Sequence, residues 1–102
     1  MSVLAEFSVV PVGKGEHLSP YVARCVKEVQ RSGLPYQLHA MGTEVEADSF
    51  GQLADLIGRC IDQVARDCDR VQVAIKLDCR KGREHQLTEK VASVQRQLQE
   101  LR

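Results

Sequence analysis

Residues 3–12 alternate along the chain. Val3, Ala5, Phe7 and Val9 fall on one side and Leu4, Glu6, Ser8 and Val10 on the other, the period of a strand with one core face. Pro11, Gly13 and Gly15 end it. Ser19 followed by Pro20 offers an N-cap and a proline at the first helical position, and Tyr21, Val22, Cys25, Val26 and Val29 then draw a helical stripe. Gly33 is placed to close that helix in left-handed backbone. Past Pro35, Tyr36, Leu38 and Ala40 oppose Gln37, His39 and Met41, and Gly42 reads as the turn residue. Thr43, Val45 and Ala47 then oppose Glu44 and Glu46, so residues 36–47 predict a tight hairpin whose polar side is acidic. Ser49 and Gln52 have capping-box spacing ahead of Leu53, Leu56, Ile57, Cys60, Ile61 and Val64, a stripe three turns long.

Over residues 71–79 the alternation is cleanest, with Val71, Val73, Ile75, Leu77 and Cys79 against Gln72, Ala74, Lys76 and Asp78. A basic turn over residues 80–83 leads to a last helix, where Leu87, Val91, Val94, Leu98 and Leu101 advance by alternating steps of four and three. That narrow seam suits packing on its own domain or contact with another subunit. The order is strand, helix, strand, strand, helix, strand, with one helix appended. Right-handed crossovers place the two main helices on one face of an antiparallel sheet, an α+β, ferredoxin-like βαββαβ architecture plus a C-terminal helix. The other face is left without a helix.

At 102 residues the chain has room for a single domain over residues 1–102. With 43% apolar and 27% charged residues it has the composition of an ordinary globular protein. Fourteen basic and fourteen acidic residues cancel, and 4% aromatic content with no tryptophan leaves neither a basic footprint nor a stacking platform, which argues against nucleic acid as a partner. A net charge near zero also gives little colloidal repulsion, which suits self-association into a homo-oligomer. Residues 1–12 lack the basic start and long apolar run of a secretory signal, and no window approaches the ~18 apolar residues of a membrane span. A cytoplasmic protein without a membrane partner is expected.

Cys25, Cys60, Cys68 and Cys79 form no Cys-x-x-Cys and have no nearby His pair, so neither a metal site nor a metal cofactor is expected. They read as reduced, buried or half-buried small hydrophobes. Gly13-Lys14-Gly15 is too short for a phosphate loop of either nucleotide-binding type. His39 is the one candidate proton carrier, without a Ser or Cys paired to it by local spacing, so no catalytic residue is assigned and binding outranks turnover. His17 and His85 read as solvated loop or helix-start residues.

In a ferredoxin-like sheet the first and third strands lie in the centre. Glu6, Ser8, Glu44, Glu46, Lys76, Asp78, Gln37, His39 and Met41 then point away from the helices, mixed with Leu4, Val10 and Ala74. Like charges on adjacent strands destabilise each other unless water, a counter-cation or a ligand intervenes. A cationic or amine-bearing small molecule suits such a face, as does a sheet-to-sheet subunit contact.

Three segments carry a resemblance: Ala5-Glu6-Phe7-Ser8-Val9-Val10-Pro11-Val12-Gly13, the hairpin from Tyr36 to Glu46, and Val73-Ala74-Ile75-Lys76-Leu77-Asp78-Cys79-Arg80. Met41-Gly42-Thr43 followed by Glu46 is the most specific part, reinforced by Glu6-x-Ser8-x-x-Pro11 and Lys76-x-Asp78. The chain resembles the small thiamine-binding-protein family, related to the YkoF-like proteins, through nearly its whole length. It departs from the family pattern at Ala47, where a glycine usually stands, and at Cys79, where a second aspartate often does. The resemblance implies a ferredoxin-like subunit assembled into dimers or tetramers that binds thiamine or its hydroxymethylpyrimidine part without turnover. Thiamine joins an aminopyrimidine to a cationic thiazolium, so its site needs a carboxylate, neutral hydrogen-bonding groups and apolar walls. The expected ligand-binding residues are Glu46 at the pyrimidine, Ser8, Met41, Gly42 and Thr43 around it, and Glu6 or Glu44 against the thiazolium.

Overall fold

A computed structural model describes residues 1–101; the last residue of the expected domain, Arg102, lies outside them. Alternation produces four strands, β1 (Ser2–Pro11), β2 (Tyr36–His39), β3 (Gly42–Ala47) and β4 (Val71–Arg80), and the helical stripes produce α1 (Ser19–Ser32), α2 (Phe50–Ala65) and α3 (Gln86–Glu100). The sheet runs β2-β3-β1-β4, antiparallel throughout, which is the ferredoxin-like arrangement. Val3, Ala5, Phe7 and Val9 of β1 and Val45 and Ala47 of β3 point to the helices and are buried. Against them lie Val29 of α1 and Leu53, Leu56, Ile57, Cys60 and Val64 of α2. Burying each such side chain contributes roughly 1.5–3 kcal/mol, which makes α2, with five of them, the principal clamp on the sheet.

The helix ends follow local chemistry with two adjustments. Gly33 closes α1 at φ 73°, donating its N–H to Gln30 O at 3.2 Å. Its start is not capped by Ser19 as expected. Leu18 already has near-helical backbone and its carbonyl accepts from the N–H groups of Tyr21 and Val22, so Ser19 falls inside the helix. Ser49 caps α2, its Oγ accepting from Gln52 N at 3.3 Å, and Gln52 Oε1 returns to Asp48 N at 3.0 Å.

In the hairpin, Ala40 and Met41 form the turn, closed by the His39 and Gly42 pair, so Gly42 is the first residue of β3 rather than the turn residue. Met41 therefore leaves the sheet face and stands 88% exposed. On β4 the alternation holds, but α1 and α2 pack mainly over β1 and β3. The edge strand consequently leaves Ile75, Leu77 and Cys79 exposed, and Cys79 departs from the expected burial of the thiols.

The expected helix-free face is partly covered. The first turn of α3 settles on it beside Ser2 and Glu46, burying Leu87 to 5% exposure. The chain reaches this position through Gly82 at φ 70° and His85 at φ 56°, the latter a left-handed conformation that costs a non-glycine residue energy. Beyond Leu87 the heptad seam is largely uncovered by the described residues: Val91, Val94, Leu98 and Leu101 are 50–81% exposed. Among the described residues no helix is long and apolar enough to cross a membrane.

Candidate functional site

Unequal strand lengths cut a notch into the sheet. β1 pairs with β4 through Pro11 but with β3 only as far as Phe7, opposite Thr43. Along residues 8–11 the β3-side edge of β1 therefore has no strand beside it, and every second residue there turns its amide and carbonyl toward the gap. The hairpin turn closes one side of the gap and the first half of α1 roofs it. The result is a cavity of about 260 Å³ lined by Ser8, Met41, Gly42 and Thr43, with Phe7 and Leu38 among its apolar walls and Val22 and Cys25 from α1. Four of the seven expected ligand-binding residues thus border one space. Thr43 shares the helix-facing side of β3 with Val45, so the notch opens at the end of the sheet rather than on its helix-free face.

Glu6 and Glu44 lie outside the notch, directly opposite each other on the helix-free face, in a transverse row that reads Gln37, Glu44, Glu6, Lys76 across the four strands. Two carboxylates facing each other repel, and Lys76 beside Glu6 offsets this within the row; next to it, His39 Nε2 lies 3.4 Å from Glu44 Oε1. They line a shallow depression of about 490 Å³ with Leu4, Leu87 and Lys90. Lys90 is ion-paired to Asp78, and this hydrogen bond holds the Asp78 carboxyl below the usual carboxylate range. The two surfaces meet at Gly42 and His39. His39 also lines the notch, and the Cγ of Glu6 lies 3.4 Å from where a side chain on Gly42 would begin.

Glu46 stands apart from both. Its Oε2 accepts from Ser2 Oγ at 2.5 Å and from Gln86 N at 2.8 Å, and its Oε1 accepts from Leu87 N at 3.1 Å. The carboxylate thus caps the N-terminus of α3 from a different strand, satisfying two of the helix's free amides and facing its positive dipole end. Burial pushes this carboxyl's pKa up, but the bonds from Ser2, Leu87 and Gln86 outweigh it and leave the group below the usual glutamate range. Sequence reasoning missed this role, because nothing near Glu46 in the chain announces a helix forty residues on. In this structure its oxygens are engaged by the chain itself. Among the described residues no cluster of three His, Cys, Asp or Glu side chains could hold a metal ion.

The family model described as thiamine-binding protein matches residues 5–95, a span that holds the whole notch and the row of charges. The chain belongs to this family. A UPF0045 protein of Mycobacterium bovis is 41% identical to this thiamine-binding-family member over 98 residues, 96% of each chain. A hypothetical protein of Methanocaldococcus jannaschii has a solved structure that superposes with a TM-score of 0.84 at 31% identity, covering 91% of this chain and 95% of that one. A Thermotoga maritima protein assigned provisionally to thiamine biosynthesis or salvage superposes with a TM-score of 0.78 over 92% of this chain and 99% of its own. At 20% identity that likeness speaks for the fold.

Proposed function

We propose that this protein binds thiamine or its hydroxymethylpyrimidine part without turning it over, seating the aminopyrimidine in the notch and the thiazolium toward Glu6 and Glu44. The observation that carries this reading is the notch itself, where Ser8, Gly42 and Thr43 and an unpaired strand edge meet apolar walls. A main-chain edge presents donors and acceptors in alternation, as an aminopyrimidine does, and apolar walls on either side suit a flat ring. Size supports the division of the ligand. Pockets for whole drug-sized molecules run to roughly 300–1,000 Å³, so a space of about 260 Å³ suits one heterocycle and leaves the second ring outside. Outside, on the sheet face that meets the notch at Gly42 and His39, Glu6 and Glu44 suit a permanent cation. Family membership supports the ligand class. In this reading Glu46 holds α3 and does not touch the pyrimidine, and His39 positions Glu44 rather than carrying a proton.

Isothermal titration separates the two halves of the ligand. The wild-type chain is expected to bind both thiamine and hydroxymethylpyrimidine. Changing Glu6 and Glu44 together to glutamine should weaken thiamine by about 2- to 10-fold, the range for solvent-exposed charge pairs, and leave hydroxymethylpyrimidine unchanged. No heat from the wild type, or equal losses for the two ligands, would sink the reading.

The exposed seam of Val91, Val94, Leu98 and Leu101 favours assembly of the chain as a dimer or tetramer through α3. Light scattering on the eluting protein should give a multiple of the chain mass, reduced to one chain by changing Val94 and Leu98 to glutamate. A wild type that elutes as one chain at every concentration contradicts this.

A further inference from the structure

Cys25 and Cys60 face each other where α1 packs on α2. Cys25 Sγ lies 3.7 Å from the carbonyl oxygen of Cys60, and Cys60 Sγ lies 3.5 Å from that of Cys25. Each sulfur therefore reaches the opposite main chain. The two side chains thus face each other across the helix interface, the arrangement a disulfide needs, which accepts Cα separations of roughly 4.4–6.8 Å. The two thiols differ in access. Cys60 is 0% exposed and walled in by the core, whereas Cys25, at 6%, also belongs to the lining of the notch.

We propose that Cys25 and Cys60 form a reversible redox pair, in which a small hydroperoxide entering the notch oxidises Cys25 and Cys60 resolves the product into a disulfide joining α1 to α2. The Cys25 thiolate attacks the peroxide: an S–O bond forms, the O–O bond breaks, and the leaving oxygen takes a proton to depart as water or an alcohol. The Cys60 thiol then gives up its proton and its sulfur attacks Cys25. The S–S bond forms, the S–O bond breaks and water leaves, so two thiols lose two electrons and one peroxide is reduced.

The polarity of the pair agrees with this order. Hydrogen bonding from Cys60, assisted by the guanidinium of Arg24, holds the Cys25 thiol below its usual range against the cost of burial, and the same contact together with burial pushes Cys60 up. Position decides the roles: Cys25 lines the notch and attacks, and Cys60, buried behind it, resolves. Cys68 and Cys79, half-buried and exposed respectively, have no such arrangement and serve as internal controls.

The proposal rests on the notch being open to small molecules, not on which ligand it holds. Its test is peroxide treatment of the reduced full-length chain without ligand, blocking of remaining thiols with N-ethylmaleimide in denaturant, and tryptic mapping. The expected product is residues 25–27 joined to residues 60–66 in most molecules, with the chain lighter by two hydrogens and restored by dithiothreitol. In a Cys60→Ser chain the same treatment should leave a Cys25 adduct with dimedone. Recovery of Cys25 and Cys60 as maleimide adducts in the wild type, under conditions where Cys79 is oxidised completely, overturns the proposal even if the serine variant fails to fold. Since no thiamine is present, formation of the disulfide in a chain that binds no thiamine would uphold this pair and refute only the ligand reading.

Discussion

Glu46→Ala should cost about 2–4 kcal/mol and release α3 before it disturbs the sheet. Hydrogen bonds to a charged group are worth roughly 1.5–3 kcal/mol each, and removing the acceptor strands the buried Ser2 hydroxyl and two helix amides. The three bonds do not simply add, because the protein has a way to limit the loss. Along α3 the side chains held against the sheet are chiefly those of Gln86 and Leu87, so undocking the helix re-solvates the orphaned groups at the cost of little more than one apolar side chain. Hydrogen exchange should accordingly rise over residues 86–100 while β1 and β3 stay protected, and a chain in which both regions loosen together contradicts the capping account.

The same contact sets an acid dependence. The folded carboxyl titrates below the unfolded one, whose pKa is about 4.3, so its contribution is complete above that value and is lost as pH falls through the lower, folded pKa. Glu46→Gln should be less stable than wild type at neutral pH and lose less on acidification. Parallel stability curves for the two chains would rule this out.

Gly42→Val should close the notch. A side chain at this position starts 3.1 Å from Phe7 O and 3.4 Å from Glu6 Cγ. The carbonyl belongs to the central strand, held on its far side by β4, and cannot retreat, so the hairpin must shift instead. Overpacking of this kind costs about 1–3 kcal/mol. The larger consequence is for the ligand, because Gly42, Met41 and Thr43 move together as one wall of the notch. Thiamine and hydroxymethylpyrimidine should both lose detectable binding in a chain that still unfolds cooperatively in urea. Undiminished affinity would show that the ligand lies elsewhere.

The site is only partly legible in the sequence. Period-two alternation and helical stripes give the order of elements, the buried sides of β1 and β3 and the core of α2, because those follow from local spacing and a single apolar face. The notch does not follow from spacing. It arises because β3 begins at Gly42 while β1 runs on to Pro11, a difference of strand ends, and reading Gly42 as a turn residue hid that difference. Resemblance and chemistry pick out Ser8, Met41, Gly42 and Thr43, and alternation puts Thr43 on the side of Val45, where the structure has it, but Met41 belongs to the turn and not to the sheet face. Glu46 was placed on the correct face by alternation. Its engagement by α3 depends on two left-handed residues, Gly82 and His85, and no periodic signal marks the second. The pairing of Cys25 with Cys60 needed the packing of α1 on α2, which connects positions 35 apart in the chain.

The central claim, that thiamine's aminopyrimidine occupies the notch, is tested most directly by adding thiamine to uniformly ¹⁵N-labelled protein and following the amide resonances. The account predicts saturable shifts at Ser8, Val9, Val10, Met41, Gly42 and Thr43, with smaller ones at Val22 and Cys25 across the gap and at Glu6 and Glu44 beside it. Shifts confined to α3 and the turn after β4, or a spectrum that thiamine leaves unchanged, would contradict it.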